Sequence, residues 1–475
     1  MTDIDNTTVT LKKRQRSNEK LISFYLTFIS IFFLLATPIA VVYTQEWDFF
    51  ENLLKILTSP CELITDYFAL GGLGSTLFNA AVCGLIANIV THIFRAERNA
   101  TMLAGYMLIV AHCFYGLNFL NMWPPFLGVF LYCVVMKKPI SKNVNVAFFS
   151  TALAPFVSEV LFRYSIGNFD ASKTQISAIG IVLSIVCGLA VGFVVPALLP
   201  GTAAMHRGYS LYKAGLAIGI LGIFIHAFMH NTLGVEHPAE IVIENPTYYA
   251  LPYAYLGFMN VFFAVFFALT FLAGFIFNRR SLTGYRELTN STGYGIDFTD
   301  KFGMPVCMVN IAVYGFCILA YLNLVFVIPD IFPALPAGVG FTGPTVGVVF
   351  AALTFAADGQ HPRNVFPIVL GYVALFATVV VICLISGFDI PWTLSTQAYI
   401  NALAFATGLC PIAGKYGMRY GVLAGFLSAM ICTVTADMHG GFVLYNGGFT
   451  AGLTALVLIP ILDFYNVKPK REDDV

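Results

Sequence analysis

The sequence predicts an all-α polytopic membrane protein, with about fourteen membrane segments, some short enough to be re-entrant, in two inverted-topology repeats. Three observations predict it. The 475 residues are 58% hydrophobic and only 11% charged, with a mean hydropathy of +0.80, where a soluble domain carries about a quarter charged residues. One pattern is written twice: MHRGYSLYKAGLAIG, Met205 to Gly219, returns as MHGGFVLYNGGFTAG, Met438 to Gly452. The basic residues, finally, fall on one side of the alternating segments in a way that turns the second copy over.

Apolar runs approaching the roughly 20 residues of a membrane crossing lie at 21–44, 71–94, 101–118, 122–136, 143–162, 177–200 and 212–230. They continue at 250–277, 303–328, 338–357, 364–387, 393–412, 418–436 and 443–462. The first follows Lys12-Lys13-Arg14-Gln15-Arg16, and with Ala36 to Ala40 it has the outline of a signal peptide. A retained first helix is the expectation.

Further blocks recur in the same order. Phe78-Asn79-Ala80-Ala81-Val82 with Gly84 matches Val309-Asn310-Ile311-Ala312-Val313 with Gly315. Asn121 with Pro124 and Gly128 matches Asn364 with Pro367 and Gly371, and TALAPFVSE at 151–159 matches TGLCPIAGK at 407–415. Such order indicates duplication. The expected parts are a cytoplasmic N-terminus, first helix and interfacial segment at 1–65, and a first repeat at 66–232. An outer loop, linker helix and cytoplasmic loop follow at 233–299, then a second repeat at 300–463 and a cytoplasmic tail at 464–475.

With the N-terminus inside, alternation places every Lys and Arg on the inner side except Lys55, Arg163 and Lys173. Glu46, Asp48, Glu51, Glu236, Glu240, Glu244, Asp330 and Asp389 fall outside. Both termini are then cytoplasmic in a multi-pass plasma-membrane protein. Six segments per copy plus a linker make an odd number, so the copies are inverted.

Zero net charge argues against nucleic acid as a partner; the lipid bilayer and a small solute are the expected ones, and a homo-oligomer is compatible. The ten cysteines lie almost all in apolar runs, where cysteine acts as a small apolar residue. No metal-ligand spacing appears; His226 and His230 share a helical face but lack a third ligand. No cofactor motif is present, nor a Walker-type GxxxxGK[ST], HExxH or GxSxG.

Polar residues inside spans are the candidate substrate-binding set. Asn121 and Asn364 each stand three residues before a proline, as in a broken transporter helix or as a plain helix cap. His206 and His439, followed by Tyr212 and Tyr445, head the most similar block; they are proton-shuttling candidates, or interfacial markers. Glu159 stands where the second copy has Lys415, which suits cation coupling or simple anchoring. Asn79 and Asn310, each five residues before a glycine, read as packing residues between close helices.

The blocks LNMWPPFLGVFLY and MHRGYSLYKAG resemble an uncharacterised family of bacterial multi-pass membrane proteins, domain of unknown function 1576, present in two copies per chain. The resemblance covers roughly 66–463, and implies a bacterial inner-membrane location without supplying a substrate. Internally, GLNFLN becomes GQHPRN, which leaves His361 and Arg363 without matching residues in the first copy. The function expected is a permease or channel for a small solute, not driven by its own ATP hydrolysis. The alternatives are an integral-membrane enzyme acting on a lipid or isoprenoid, or a non-transporting membrane subunit.

Overall fold

The computed structural model describes residues 2–61, 65–163, 175–234 and 255–470, with side chains from residue 14 onward. The outer loop around Glu236, Glu240 and Glu244, and Lys173, lie outside the described residues. The first half holds α1 (Thr2–Thr44), α2 (Phe49–Thr58), α3 (Tyr67–Ile93), α4 (Ala100–His112) and α5 (Trp123–Val135). It continues with α6 (Val144–Ser150), α7 (Ala154–Arg163), α8 (Ala178–Met205) and α9 (Lys213–His226). The second half holds α10 (Leu256–Phe277), α11 (Tyr285–Asn290), α12 (Phe298–Lys301), α13 (Met304–Ile331) and α14 (Gly343–Ala352). After these come α15 (Pro362–Ser386), α16 (Gln397–Ala406), α17 (Cys410–Tyr416), α18 (Met418–Met438) and α19 (Asn446–Phe464).

Among the described residues, 10 helices are long and apolar enough to cross a membrane. Four of the expected segments are not among them: α4 and α5 have 13 residues each, α14 has 10, and the segment at 393–412 is α16, of 10 residues, followed by a 3₁₀ turn and α17. At 1.5 Å per residue, a 13-residue helix is about 20 Å long, short of a hydrocarbon core of about 30 Å. The turns that follow α4 and α14 are made by glycine. Gly116 has φ +86° and Gly359 has φ +117°, a left-handed conformation that costs glycine little.

Each of these turns is tied by the same bonds. Asn79 Nδ2 donates to Cys113 O (3.0 Å) and Leu117 O (2.9 Å). Asn310 Nδ2 donates to Ala356 O (2.8 Å) and Gln360 O (2.7 Å). These buried amides satisfy carbonyls left over where α4 and α14 stop. Tyr67 N donates to Phe114 O, and Phe298 N to Ala357 O, in the corresponding places.

One sequence expectation is corrected here. His361 does have a counterpart, Asn118. Asn121 Oδ1 accepts from Asn118 N (2.8 Å) while Asn118 Oδ1 accepts from Asn121 N (3.0 Å). In the second copy, Asn364 Oδ1 accepts from His361 N (3.0 Å) and His361 Nδ1 accepts from Asn364 N (3.3 Å). An amide oxygen and an imidazole nitrogen are both acceptors, so either completes the reciprocal cap.

The long helices cross at glycines. A Cβ on Gly192 would lie 2.0 Å from Pro125 O, and one on Gly425 2.2 Å from Ile368 O, so α8 meets α5 as α18 meets α15. Helices in lipid gain no hydrophobic drive from each other, and such close backbone approach is what holds them. The helix α1 lies along α3, with Val41 against Gly74, and α10 lies along α13, with Gly274 against Pro305 and Val309. The rings of Phe33 on α1 and of Phe263 and Phe266 on α10 converge on Phe350 of α14, at 5.3, 5.7 and 5.5 Å.

Helix ends carry a further regularity. The left-handed residues just past α3, α5, α8 and α10 are Arg95, Lys137, Arg207 and Arg279, while those just past α1, α15 and α18 are Gln45, Gly387 and Gly440. A cation beside a helix C-terminus is favoured by the helix dipole.

Candidate functional site

The repeated block places the site. After α8, the chain turns through Gly208 and enters α9 at Tyr212; after α18, it turns through Gly440 and Gly441 and enters α19 at Tyr445. The glycines then let α9 and α19 touch. A Cβ on Gly215 would lie 2.5 Å from the Gly448 carbonyl carbon, one on Gly219 2.3 Å from the Phe449 ring, and one on Gly452 2.9 Å from Leu216. Gly222 faces Val443 and His439. From Leu216 with Gly452, through Gly219 with Phe449, to Gly222 with Val443, the number rises along α9 as it falls along its partner, so the two helices run antiparallel, and the equivalent Gly215 and Gly448 touch.

The block also bonds across the copies, in a reciprocal pair. Leu211 N donates to Gly408 O and Leu444 N donates to Ala152 O, both at 3.0 Å. Ala152 and Gly408 lie in matching 3₁₀ turns, Thr151–Leu153 and Thr407–Leu409, that interrupt α6–α7 and α16–α17. Each copy thus completes the other's backbone.

Around this seam sit buried aromatic and polar side chains. Tyr212 packs on Phe355 (4.7 Å, edge to face), and its hydroxyl donates to Ala351 O at 2.5 Å. Tyr445 packs on His112 at 5.0 Å, and its hydroxyl has no hydrogen-bond partner among the described residues. His112 and Tyr115 are buried beside each other, also without well-formed hydrogen bonds from the ring nitrogens or the hydroxyl.

A cavity of about 380 Å³ opens from the seam at the start of α9. Its inner wall is apolar and aromatic: Leu108, Phe149, Tyr212, Phe355 and Tyr445. Its mouth carries Thr101, Lys213, Tyr294, Asp297 and Asp358. Asp297 is partly engaged as the cap of α12, accepting from the Thr299 and Asp300 amides at 2.7 and 3.1 Å.

At the matching place in the first copy a contact spans the two copies. There Asp66 caps α3 and also accepts from the first amide of α14, Gly343 N, at 2.8 Å. In the second copy Asp297 stands where Asp66 stands, and the cavity separates it from Thr101 at the start of α4. Among the described residues the contact is made at Asp66 and is absent at Asp297.

The residues expected from sequence distribute as follows. Tyr212 and Tyr445 line the cavity. His439 is buried beneath α19, with Nε2 3.1 Å from Asn446 Oδ1; His206 is buried with neither ring nitrogen hydrogen-bonded. Asn121 Nδ2 binds Gly116 O and Ser158 Oγ, and Asn364 Nδ2 binds Gly359 O, so both amides brace hairpin turns. Glu159, on α7, lies 3.4 Å from Arg163, both buried. Lys415 lies over the Tyr294 and Tyr209 rings, at 4.2 and 5.6 Å. Lys213, Asp297, Asp358 and Phe355 were not singled out from sequence. Lys213 follows Tyr212 directly in the repeated block, with Asn446 as its counterpart, and that break in symmetry is the signal that could have found it.

A family model described as "Protein of unknown function (DUF1576)" matches the chain twice, over residues 45–231 and 277–464. The chain belongs to this family and carries two tandem copies of its domain. No curated protein matches it. No solved structure matches it either.

Proposed function

We propose that this protein is a membrane permease for a small solute, with inverted repeats that expose a central cavity to one side of the membrane at a time. One observation carries the proposal: the cavity lies on the seam between the two copies, open beside Lys213 and latched at the equivalent end by Asp66 and Gly343. Inverted-repeat carriers place their sites where the repeats meet. The antiparallel run of α9 and α19 supports inversion, since equivalent helices related by a two-fold axis across them point opposite ways. The open end is cytoplasmic on this reading. Arg95, Lys137, Arg207 and Arg279, at the ends of α3, α5, α8 and α10, fall on the side where Lys and Arg accumulate.

Transport follows from closing the open end and opening the latched one. An Asp297 contact to the start of α4 would replace the Asp66 contact to the start of α14. Tyr212 and Tyr445 form the floor common to both states. The buried amides Asn121 and Asn364 hold the two hairpin turns as rigid pieces, and His206 and His439 pack under the seam.

Two measurements test this. Single cysteines beside Arg98, Lys138 and Arg280 should be labelled only from the cytoplasm, and one beside Asp389 only from outside. Labelling of positions 280 and 389 from the same side overturns the inverted arrangement. Thr101→Trp should fill the mouth and abolish saturable solute flux in proteoliposomes, while the purified protein stays monodisperse. Flux unaffected by the tryptophan removes the cavity from the path.

A further inference from the structure

The charged groups at the cavity mouth are not paired with each other. The Asp358 carboxylate makes no hydrogen bond and no ion pair among the described residues, and Lys213 makes no ion pair among them. Both line the same 380 Å³ space, with the aromatic floor of Tyr212, Phe355 and Tyr445 beyond them. At this cavity the half-buried Asp358 calls for a positive partner, and Lys213, exposed at the rim, offers a place for a negative one. A single bound molecule supplies both when it carries an amine and a carboxylate of its own. The size falls in the range of small-molecule sites, about 300–1,000 Å³, and the apolar floor suits a hydrocarbon or aromatic side group.

We propose that the cavity binds a small zwitterion of the amino-acid type, with its ammonium on Asp358, its carboxylate on Lys213 and its apolar side group against Tyr212, Phe355 and Tyr445. The assignment rests on the permease reading of the same cavity and names the class of solute. Neither group alone defines it: a lone carboxylate would equally take a simple amine, and a lone lysine a simple acid. Lys213 has Asn446 as its counterpart and Asp358 has Tyr115, so the charge pair exists at the open end alone.

Asp358 sits in the turn between α14 and α15, outside the long apolar helices. Burial first, then the charge of Asp297, pushes its carboxyl up to about 8; Asp300 adds to the shift and Lys213 opposes it. Its charge also reaches Cys307 and Cys410, and Tyr212, Tyr294 and Tyr445 line the same cavity. Below that value Asp358 is protonated and offers an ammonium nothing to pair with. Binding of an amine therefore strengthens as pH rises from 6 to 8, and a proton leaves as the ammonium enters.

The test is binding to the full-length protein purified in detergent, with three probes of one skeleton: L-phenylalanine, phenethylamine and 3-phenylpropionate. L-Phenylalanine should bind at least tenfold more tightly than either single-charge probe, and severalfold more tightly at pH 8 than at pH 6. Asp358→Asn should erase its advantage over the acid, and Lys213→Gln its advantage over the amine. Equal binding of phenethylamine and L-phenylalanine by the unmodified protein overturns the proposal without reference to any variant. So does the absence of binding by all three. Saturable flux of an uncharged or singly charged solute, blocked by Thr101→Trp, would leave the permease reading standing while the zwitterion assignment falls. A cavity that neither binds these probes nor supports any flux sensitive to Thr101→Trp removes both.

Discussion

Gly215→Ala should destabilise the protein markedly and abolish transport. The added methyl would lie 2.5 Å from the carbonyl carbon of Gly448, a backbone atom that cannot swing aside as a side chain can. Overpacking of this kind costs about 1–3 kcal/mol, and here it also forces α9 from α19, where the two copies meet. The control is Gly201→Ala on α8, where a Cβ meets nothing within 4 Å. Replacing that helical glycine should be neutral, or stabilising by up to about 1 kcal/mol. Thermal unfolding of the two variants in the same detergent compares them directly. A Gly215→Ala protein as stable as Gly201→Ala would mean that the two helices do not touch.

The second large effect is expected at Asn310. Its amide holds Ala356 O and Gln360 O, on either side of the turn that carries Asp358. Asn310→Ala strips both buried carbonyls of their donor, at about 1–3 kcal/mol each. Asn310→Asp should be at least as damaging, because a carboxylate has no N–H to give and sets negative charge beside two carbonyl oxygens. Asn79→Ala should produce a similar loss through Cys113 O and Leu117 O. Unfolding temperature and monodispersity in detergent read both. If Asn310→Asp retains the unmodified stability, the amide is not holding that turn.

How far each feature was legible depended on what evolution had to keep in both copies. The His-Tyr-Gly block reads clearly in sequence because helices touching backbone to backbone tolerate only glycine at Gly215 and Gly448. The clamps Asn79 and Asn310 read for the same reason, since only a primary amide reaches two carbonyls at once. A helix cap at Asn121 and Asn364 was readable, but its other half was hidden, because Asn118 and His361 do one job with different chemistry. That some segments are short was readable, but which ones was less so: α4, α5 and α14 are as apolar as the long helices, and the positive φ of Gly116 and Gly359 marks the turns that follow α4 and α14. Asp358 and Lys213 lie far apart in the chain and meet at one cavity only through the packing of α9 beside the turn after α14. No local pattern announces such a pair.

The reciprocal bonds from Leu211 to Gly408 and from Leu444 to Ala152 bear on how the chain is made. The first copy leaves the ribosome with one backbone donor and one backbone acceptor whose partners are not yet synthesised. In a bilayer each unmet group costs several kcal/mol. At about 5–20 residues per second, Leu211 waits roughly ten seconds or more for Gly408, and Ala152 waits longer for Leu444. Insertion of the early helices can therefore precede assembly, but the first half has no finished form of its own. It must be held open, by lipid-embedded chaperones or by its own slack, until the last helix arrives to close both bonds.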